Sequence, residues 1–172
     1  METVWVLGDQ LQRNLGALAE ASPTSHRILL VESQTKIASK RWHVQRAHLV
    51  LSGMRHLATS LRAEGFEVDY RTAVTLTSGL QEHRRRFAPT RVTATEPASW
   101  DGRRMLERCG VELVRTTQFL THPDEFAEWA GSRSRLKMED FYRWQRRRLG
   151  YLMDGDQPAG GEWNFDEDNR ER

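Results

Sequence analysis

Residues 4–11 read VWVLGDQL and residues 28–34 read ILLVESQ. Each stretch opens with four apolar residues in a row, followed directly by small, acidic or amide side chains. An unbroken apolar run this short suits a strand buried on both faces, as in a parallel sheet, better than a strand with one wet face. Three further strand-like runs follow at residues 66–70, 92–95 and 111–114. Between the runs, helical spacing covers residues 11–20, 41–64, 76–87 and 100–109. In the longest of these, Ala47, Val50, Leu51, Met54, Leu57, Ala58 and Leu61 recur on one face, and Gly65 stands at a natural stop. Pro89 closes the third helix and Gly110 follows the fourth. The order β-α-β-α-β-α-β-α-β predicts an α/β fold. It is a Rossmann-like, doubly wound, five-stranded parallel sheet with right-handed crossovers and a ligand crevice at the carboxyl ends of its strands.

Beyond the fifth strand the pattern changes. THPD at 121–124 reads as a helix start, with a short helix over 125–130 and a second over 138–149. The second places Met138, Phe141, Tyr142, Gln145 and Leu149 on one face and Arg143, Arg146, Arg147 and Arg148 mostly on the other. From Gly150 onward Gly, Pro, Asp and Asn dominate, so extended or irregular chain is expected. This tail holds Trp163 and Phe165 and reads as a connector whose aromatics need a surface supplied from elsewhere. The expected organisation is an α/β ligand-binding domain at 1–118, a helical extension with a basic face at 119–150, and an irregular linker at 151–172.

The chain has 172 residues, a formal net charge of +2, 38% hydrophobic and 29% charged residues, which is room for one soluble domain with an appendage. Cys109 is the single cysteine, so the chain has no internal disulfide, no Cys-only zinc site and no self-contained four-cysteine cluster. That cysteine usage points to a reducing compartment. No run approaches the ~20 apolar residues of a membrane helix, and the N-terminus opens on a strand rather than a signal peptide. A cytoplasmic protein with no membrane partner is the expectation. None of the six histidines falls in an HExxH or paired Cys/His spacing, so no metal site is expected. Ser52 precedes Gly53 but lies mid-helix, outside any GxSxG turn.

The crevice is where chemistry is expected. The first strand ends in Gly8, Asp9 and Gln10, and the second in Glu32, Ser33 and Gln34. Two carboxylates and two amides at one rim suit an uncharged, polyhydroxylated ligand. The plainer reading is that Asp9 caps the first helix and Glu32 is solvated. The absence of GxGxxG and GxxxxGK[ST] argues against a pyrophosphate or P-loop site, and the acids argue against a phosphate at that point. Arg84, Arg85 and Arg86, with the arginines of 143–148, keep open a stand-alone nucleotide- or DNA-binding module. A degenerate fragment that binds nothing is the third reading.

Several blocks carry a family resemblance: VLGDQL at 6–11, LLVE at 29–32, SGMRH at 52–56, TEP at 95–97, FLTHPDEFAEWA at 119–130, and RLKMEDFYRWQRRRLGYLMDGDQPAGGEWNFDEDNR at 135–170. In order and over nearly the whole chain, they resemble the N-terminal antenna domain of the bacterial iron–sulfur photolyase and cryptochrome family, the prokaryotic (6-4) photolyase group. The resemblance implies an α/β domain binding 6,7-dimethyl-8-ribityllumazine. It also implies a separate helical half with FAD, a four-cysteine [4Fe–4S] cluster and the lesion site, serving light-driven DNA repair or blue-light sensing. It implies that Asp9 and Glu32 hold ribityl hydroxyls and ring nitrogens, that Gly8 admits the ring, and that Gln10 and Arg55 are further candidates. Arg143, Arg146 and Arg147 are expected to face DNA backbone or the catalytic half. Nothing in these residues supplies the FAD or cluster site, so the chain alone is expected to be catalytically inactive, as a truncation or beside a separately encoded partner. Where the family shows two histidines and then lysines, this chain has Trp42, His43, Val44, Gln45 and Arg46.

Overall fold

Five strands, β1 (Glu2–Val6), β2 (His26–Ser33), β3 (Glu67–Ala73), β4 (Val92–Thr95) and β5 (Glu112–Val114), pair in parallel in the order β3-β2-β1-β4-β5. The structure is a computed structural model that describes residues 1–39, 41–131 and 133–165. The chain winds from β1 through β2 to β3, then returns to lay β4 and β5 on the other side of β1. The winding direction therefore reverses between β1 and β4, the place where open α/β sheets bind ligands. The doubly wound parallel sheet is the fold expected from the alternation of runs.

Strand periodicity explains the unbroken apolar runs. Val4, Val6, Ile28 and Leu30 point to one face, where they meet Leu18 and the helical residues Met54, Ala58 and Leu61. Trp5, Leu29 and Val31 point to the other, against Leu80 and Leu106. Each central strand thus feeds two cores, and successive side chains are all apolar. The outer strands β3 and β5 are only partly covered, which is why Glu67 and Glu112 are tolerated there, whereas Asp69 is buried and held by His83 and Arg71.

Four helices cross between the strands as the spacing implies, with altered bounds, and one was not anticipated. The helix expected over 11–20 shrinks to α1 (Gly16–Ala19), and turns occupy residues 10–15. Gly16 has φ +45° and packs directly on the Thr95 side chain, a geometry that cannot lie inside a continuous helix. α2 (Gln34–Ala38) is the unanticipated one, a single capped turn in which Ser33 Oγ accepts from the Lys36 backbone N–H at 3.2 Å. α3 (Val44–Ala63) begins three residues later than expected, capped by His43. At its end Gly65, φ +92°, and Phe66 donate to the carbonyls of Arg62 and Leu61, the two hydrogen bonds of a Schellman motif. α4 (Leu76–Phe87) opens on a capping box formed by Thr75 and Ser78, and α5 (Trp100–Arg108) on Ser99.

Gly16→Ala should destabilise the protein by about 2–4 kcal/mol, since any Cβ there overlaps Thr95 and the backbone is left-handed. Urea denaturation checks this; a loss below about 0.5 kcal/mol would show that Thr95 can give way.

Residues Met1–Leu120 form one compact unit and Thr121–Arg172 a second, described through residue 165. The second holds α6 (Pro123–Gly131), α7 (Met138–Leu149) and a small antiparallel pair, β6 (Met153–Asp154) and β7 (Gln157–Pro158). Phe126, Trp129, Phe141 and Trp144 cluster with ring centroids 5.0–6.2 Å apart. Of the two tail aromatics, Trp163 lies on arginines of α7, while Phe165 remains half exposed. The Trp163 ring lies 4.6–5.5 Å from the guanidinium carbons of Arg143, Arg146 and Arg147, and Phe165 lies against Gly160. Arg146, expected to face outward, is only 6% exposed. It donates to the carbonyls of Tyr151, Leu152 and Trp163 and to the Tyr142 hydroxyl. Among the described residues no helix is long and apolar enough to cross a membrane.

Candidate functional site

The reversal of winding leaves a cleft of about 380 Å³ at the carboxyl end of the sheet, within the ~300–1,000 Å³ of small-molecule sites. Leu7, Gly8 and Asp9 enter it from the end of β1, Glu32 and Ser33 from β2, and Pro97 and Ser99 from beyond β4. One side is closed by Lys36 and Ile37 of α2, by Trp42, and by Arg46, Val50 and Met54 of α3. Leu76 and Met105 add apolar wall. The lining is mainly hydrophobic with a few polar groups, the composition that holds a flat organic molecule and orients it. Gly8 keeps the wall thin, because a Cβ there would lie 3.2 Å from Val50 Cγ1.

Glu32 is the central polar group, 7% exposed. Arg55 grips it with both arms of its guanidinium, Nε to Oε1 at 2.8 Å and Nη2 to Oε2 at 3.1 Å, and the Tyr70 hydroxyl donates to Oε1. The Arg55 fork, opposed by burial and helped by Tyr70, holds the Glu32 carboxyl below its usual range. Burial and the adjacent carboxylate push the Tyr70 phenol up to about 12. A fixed carboxylate acceptor, its ionised form favoured by Arg55 and Tyr70, is therefore present at the inner wall of an apolar cleft.

The other candidates take different roles. Asp9 lines the cleft and is exposed, and among the described residues no hydrogen bond reaches its carboxylate. Gln10 is buried, and its amide nitrogen donates to the carbonyls of Thr95 at 3.2 Å and Glu96 at 3.0 Å. It staples the turn after β1 to the end of β4 and faces a second, shallower opening of about 360 Å³ beside Leu11 and Gln118. Arg55 does not line the main cleft; it stands behind Glu32. The TEP block is built into the same staple. Thr95 Oγ1 accepts from the Ala17 N–H, the Glu96 carboxylate accepts from Arg103 and from the Thr116 N–H, and Pro97 reaches the cleft wall.

A family model described as deoxyribodipyrimidine photo-lyase-related protein matches residues 4–172. The chain belongs to that family. It is also 34% identical over 182 residues to a (6-4) photolyase of Agrobacterium fabrum, an alignment covering 99% of this chain and 36% of that protein. The chain thus spans little more than a third of that relative's length.

Within this photolyase-related chain, sequence reasoning missed Tyr70, Lys36, Ile37, Ser39 and Arg46. Tyr70 had a weak signal. Leu30 pairs with Tyr70 in the sheet, so Glu32, two residues on, shares its face, and α3 with Arg55 covers that face. Lys36, Ile37 and Ser39 were missed because α2 was missed; the one clue was Ser33 as an N-cap. Among the described residues no cluster of three or more His, Cys, Asp or Glu is placed to hold a metal ion.

Proposed function

We propose that this chain is the antenna-chromophore domain of a photolyase- or cryptochrome-like protein, with 6,7-dimethyl-8-ribityllumazine in the cleft at the β1/β4 switch point. The observation that carries this reading is Glu32, held ionised by Arg55 and Tyr70 at the inner wall of an apolar cleft, in a chain of the photolyase-related family. Donors on the ring and ribityl tail would meet Glu32 and Asp9. The flat ring would lie between Trp42, Val50, Met54 and Met105, with Gly8 letting it reach the backbone. Bound there, the lumazine would supply light absorption; the side chains of this domain bind it, orient it and keep water off one end of it. FAD and an iron–sulfur cluster are assigned to residues outside this sequence, since one cysteine cannot supply four thiolates. Light-driven repair of DNA, or light sensing, belongs to that larger protein.

Glu32→Gln removes the charge that Arg55 and Tyr70 are arranged around. It should weaken lumazine binding by at least about tenfold, from loss of a charge-assisted hydrogen bond. Tyr70→Phe, which keeps the carboxylate and its Arg55 fork, should cost clearly less. Titration of the purified chain with the lumazine, read by absorption and fluorescence, measures both. Unchanged affinity in folded Glu32→Gln protein would rule out this cleft as the lumazine site.

A further inference from the structure

We infer that Gln10 and Gln118 are positioning residues: they do not touch the ligand, and together they hold the Asp9 peptide so that its carboxylate stands at the chromophore cleft. This rests on the reading of that cleft as the chromophore site and says what makes one of its acceptors effective. Asp9 lines the cleft and is exposed, and among the described residues no hydrogen bond reaches its carboxylate. Where that carboxylate stands is therefore set by the backbone that carries it. Neither Gln10 nor Gln118 lines the main cleft.

The Asp9 backbone belongs to a closed ring of hydrogen bonds. Gln10 is 3% exposed, and its amide nitrogen donates to the carbonyls of Thr95 at 3.2 Å and Glu96 at 3.0 Å. Two carbonyls at that end of the amide fix which atom is the nitrogen, since an oxygen there would be repelled. From Glu96 the ring continues through side chains. The Glu96 carboxylate accepts from the Thr116 N–H at 3.2 Å, and Thr116 Oγ1 accepts from the Gln118 N–H at 3.2 Å. The Gln118 amide nitrogen then donates to the Asp9 carbonyl at 3.0 Å. The peptide bond between Asp9 and Gln10 closes the ring. It ties the turn after β1 to the end of β4 and to the segment after β5. Arg103 of α5 braces Glu96 at 3.0 Å, and the Gln10 N–H donates to the Leu7 carbonyl at 3.0 Å, so the turn is also closed on β1.

A ring opens at a single break. With either glutamine donor removed, the Asp9 turn is held from one side only and its backbone spreads over more conformations. A ligand must then collect Asp9 into one of them, and ordering the backbone of one residue is costly enough to weaken binding about fivefold or more. The effect reaches the ligand only through Asp9, which separates positioning from general support of the fold.

The test is a double-mutant cycle on the full chain, read by titration with 6,7-dimethyl-8-ribityllumazine. Gln10→Met and Gln118→Met keep side-chain length and lose the donors. Each should weaken binding about fivefold, and the two together should cost little more than the larger single loss, because the ring is already open. In an Asp9→Ala background the same substitutions should change affinity less than twofold, since no carboxylate remains to be placed. Without ligand, the Gln10 amide should exchange faster in the Gln118→Met variant, a break on the far side of the ring. Equal losses with and without the Asp9 carboxylate would overturn positioning and leave the glutamines as plain structural supports. Wild-type affinity in Gln118→Met, an exposed position that tolerates substitution without unfolding, would overturn it as well. Wild-type affinity in Asp9→Ala would remove Asp9 from the site and the inference with it, leaving the cleft reading on Glu32. No lumazine binding by the wild-type chain would overturn the chromophore reading itself.

Discussion

Replacing His83 by Leu should destabilise the α/β unit by about 3–5 kcal/mol, the cost of breaking a buried, charged hydrogen-bond network. His83 lies on α4 with no exposed surface. Its Nδ1–H donates to Asp69 Oδ2 at 2.6 Å, and in the neutral ring Nε2 accepts from the Thr3 hydroxyl at 2.9 Å. Asp69 is in turn held by Arg71, which also reaches Glu82. The network ties β1, β3 and α4 together at the base of the sheet. Leucine fits the volume but leaves the Thr3 hydroxyl without a partner and takes away one of the three hydrogen bonds that Asp69 Oδ2 accepts, the other two coming from Arg71. Thermal unfolding should fall by roughly 10 °C for a chain of this size. Thr3→Val, which removes one neutral partner, should cost about 1 kcal/mol. Equal losses in the two variants would mean the charged half of the network contributes nothing.

The same network sets an acid limit. Burial opposes the charge on Asp69, but the hydrogen bonds from His83 and Arg71 outweigh it and hold the carboxyl below its ordinary value of 3.8. A depressed folded-state pKa means the unfolded chain binds the proton more readily. The stability from Asp69 is therefore present above its ordinary value and is lost as pH falls through and below it. Denaturation curves of wild type and Asp69→Asn should converge on acidification below that value and separate above it.

Arg146→Met should release the tail of the second unit. Arg146 satisfies three carbonyls, those of Tyr151, Leu152 and Trp163, and one hydroxyl, and it forms part of the cationic wall around Trp163. Methionine keeps much of the aliphatic stem and loses every donor. With each of these four part-buried hydrogen bonds worth about 1 kcal/mol, the tail loses about 4 kcal/mol in total and should detach from α7. Two readouts follow: amides of residues 151–165 should exchange rapidly, and tryptophan emission should shift to the red, with Trp163→Phe as the reference that assigns the shift. Arg147→Met, which removes only a stacking cation, should leave exchange near the wild-type rate. Protected tail amides in Arg146→Met would show that the aromatic and hairpin contacts suffice without it.

The elements recovered from sequence are those whose signal is local and periodic. The runs at β1 and β2 were readable because both faces of each strand are buried, and α3 because Met54, Ala58 and Leu61 return every turn to one core. Gly65 was readable as a stop because a left-handed residue is needed there. The failures have a common cause. The helix over 11–20 was shortened by the close approach of Gly16 to Thr95, 79 residues away along the chain. α2 is one turn long, too short for periodicity to register. Arg146 looked like one more member of an exposed basic face, since nothing nearby in sequence announces that three carbonyls will converge on it.

The candidate site divides in the same way. The sequence by itself determined that a parallel doubly wound sheet would form and that Gly8, Asp9 and Glu32 would stand at the carboxyl ends of its first two strands, because strand period and strand order depend on short-range pattern. Only the tertiary structure decided what those groups can do. It put Tyr70 and Arg55 on Glu32, turned Gln10 into a staple across β1 and β4, and brought Lys36, Trp42 and Arg46 to the lining of the same cleft. Hydrogen bonds and ion pairs depend on a few ångströms of separation between residues tens of positions apart, and that separation is set by sheet register and helix packing rather than by any spacing visible along the chain.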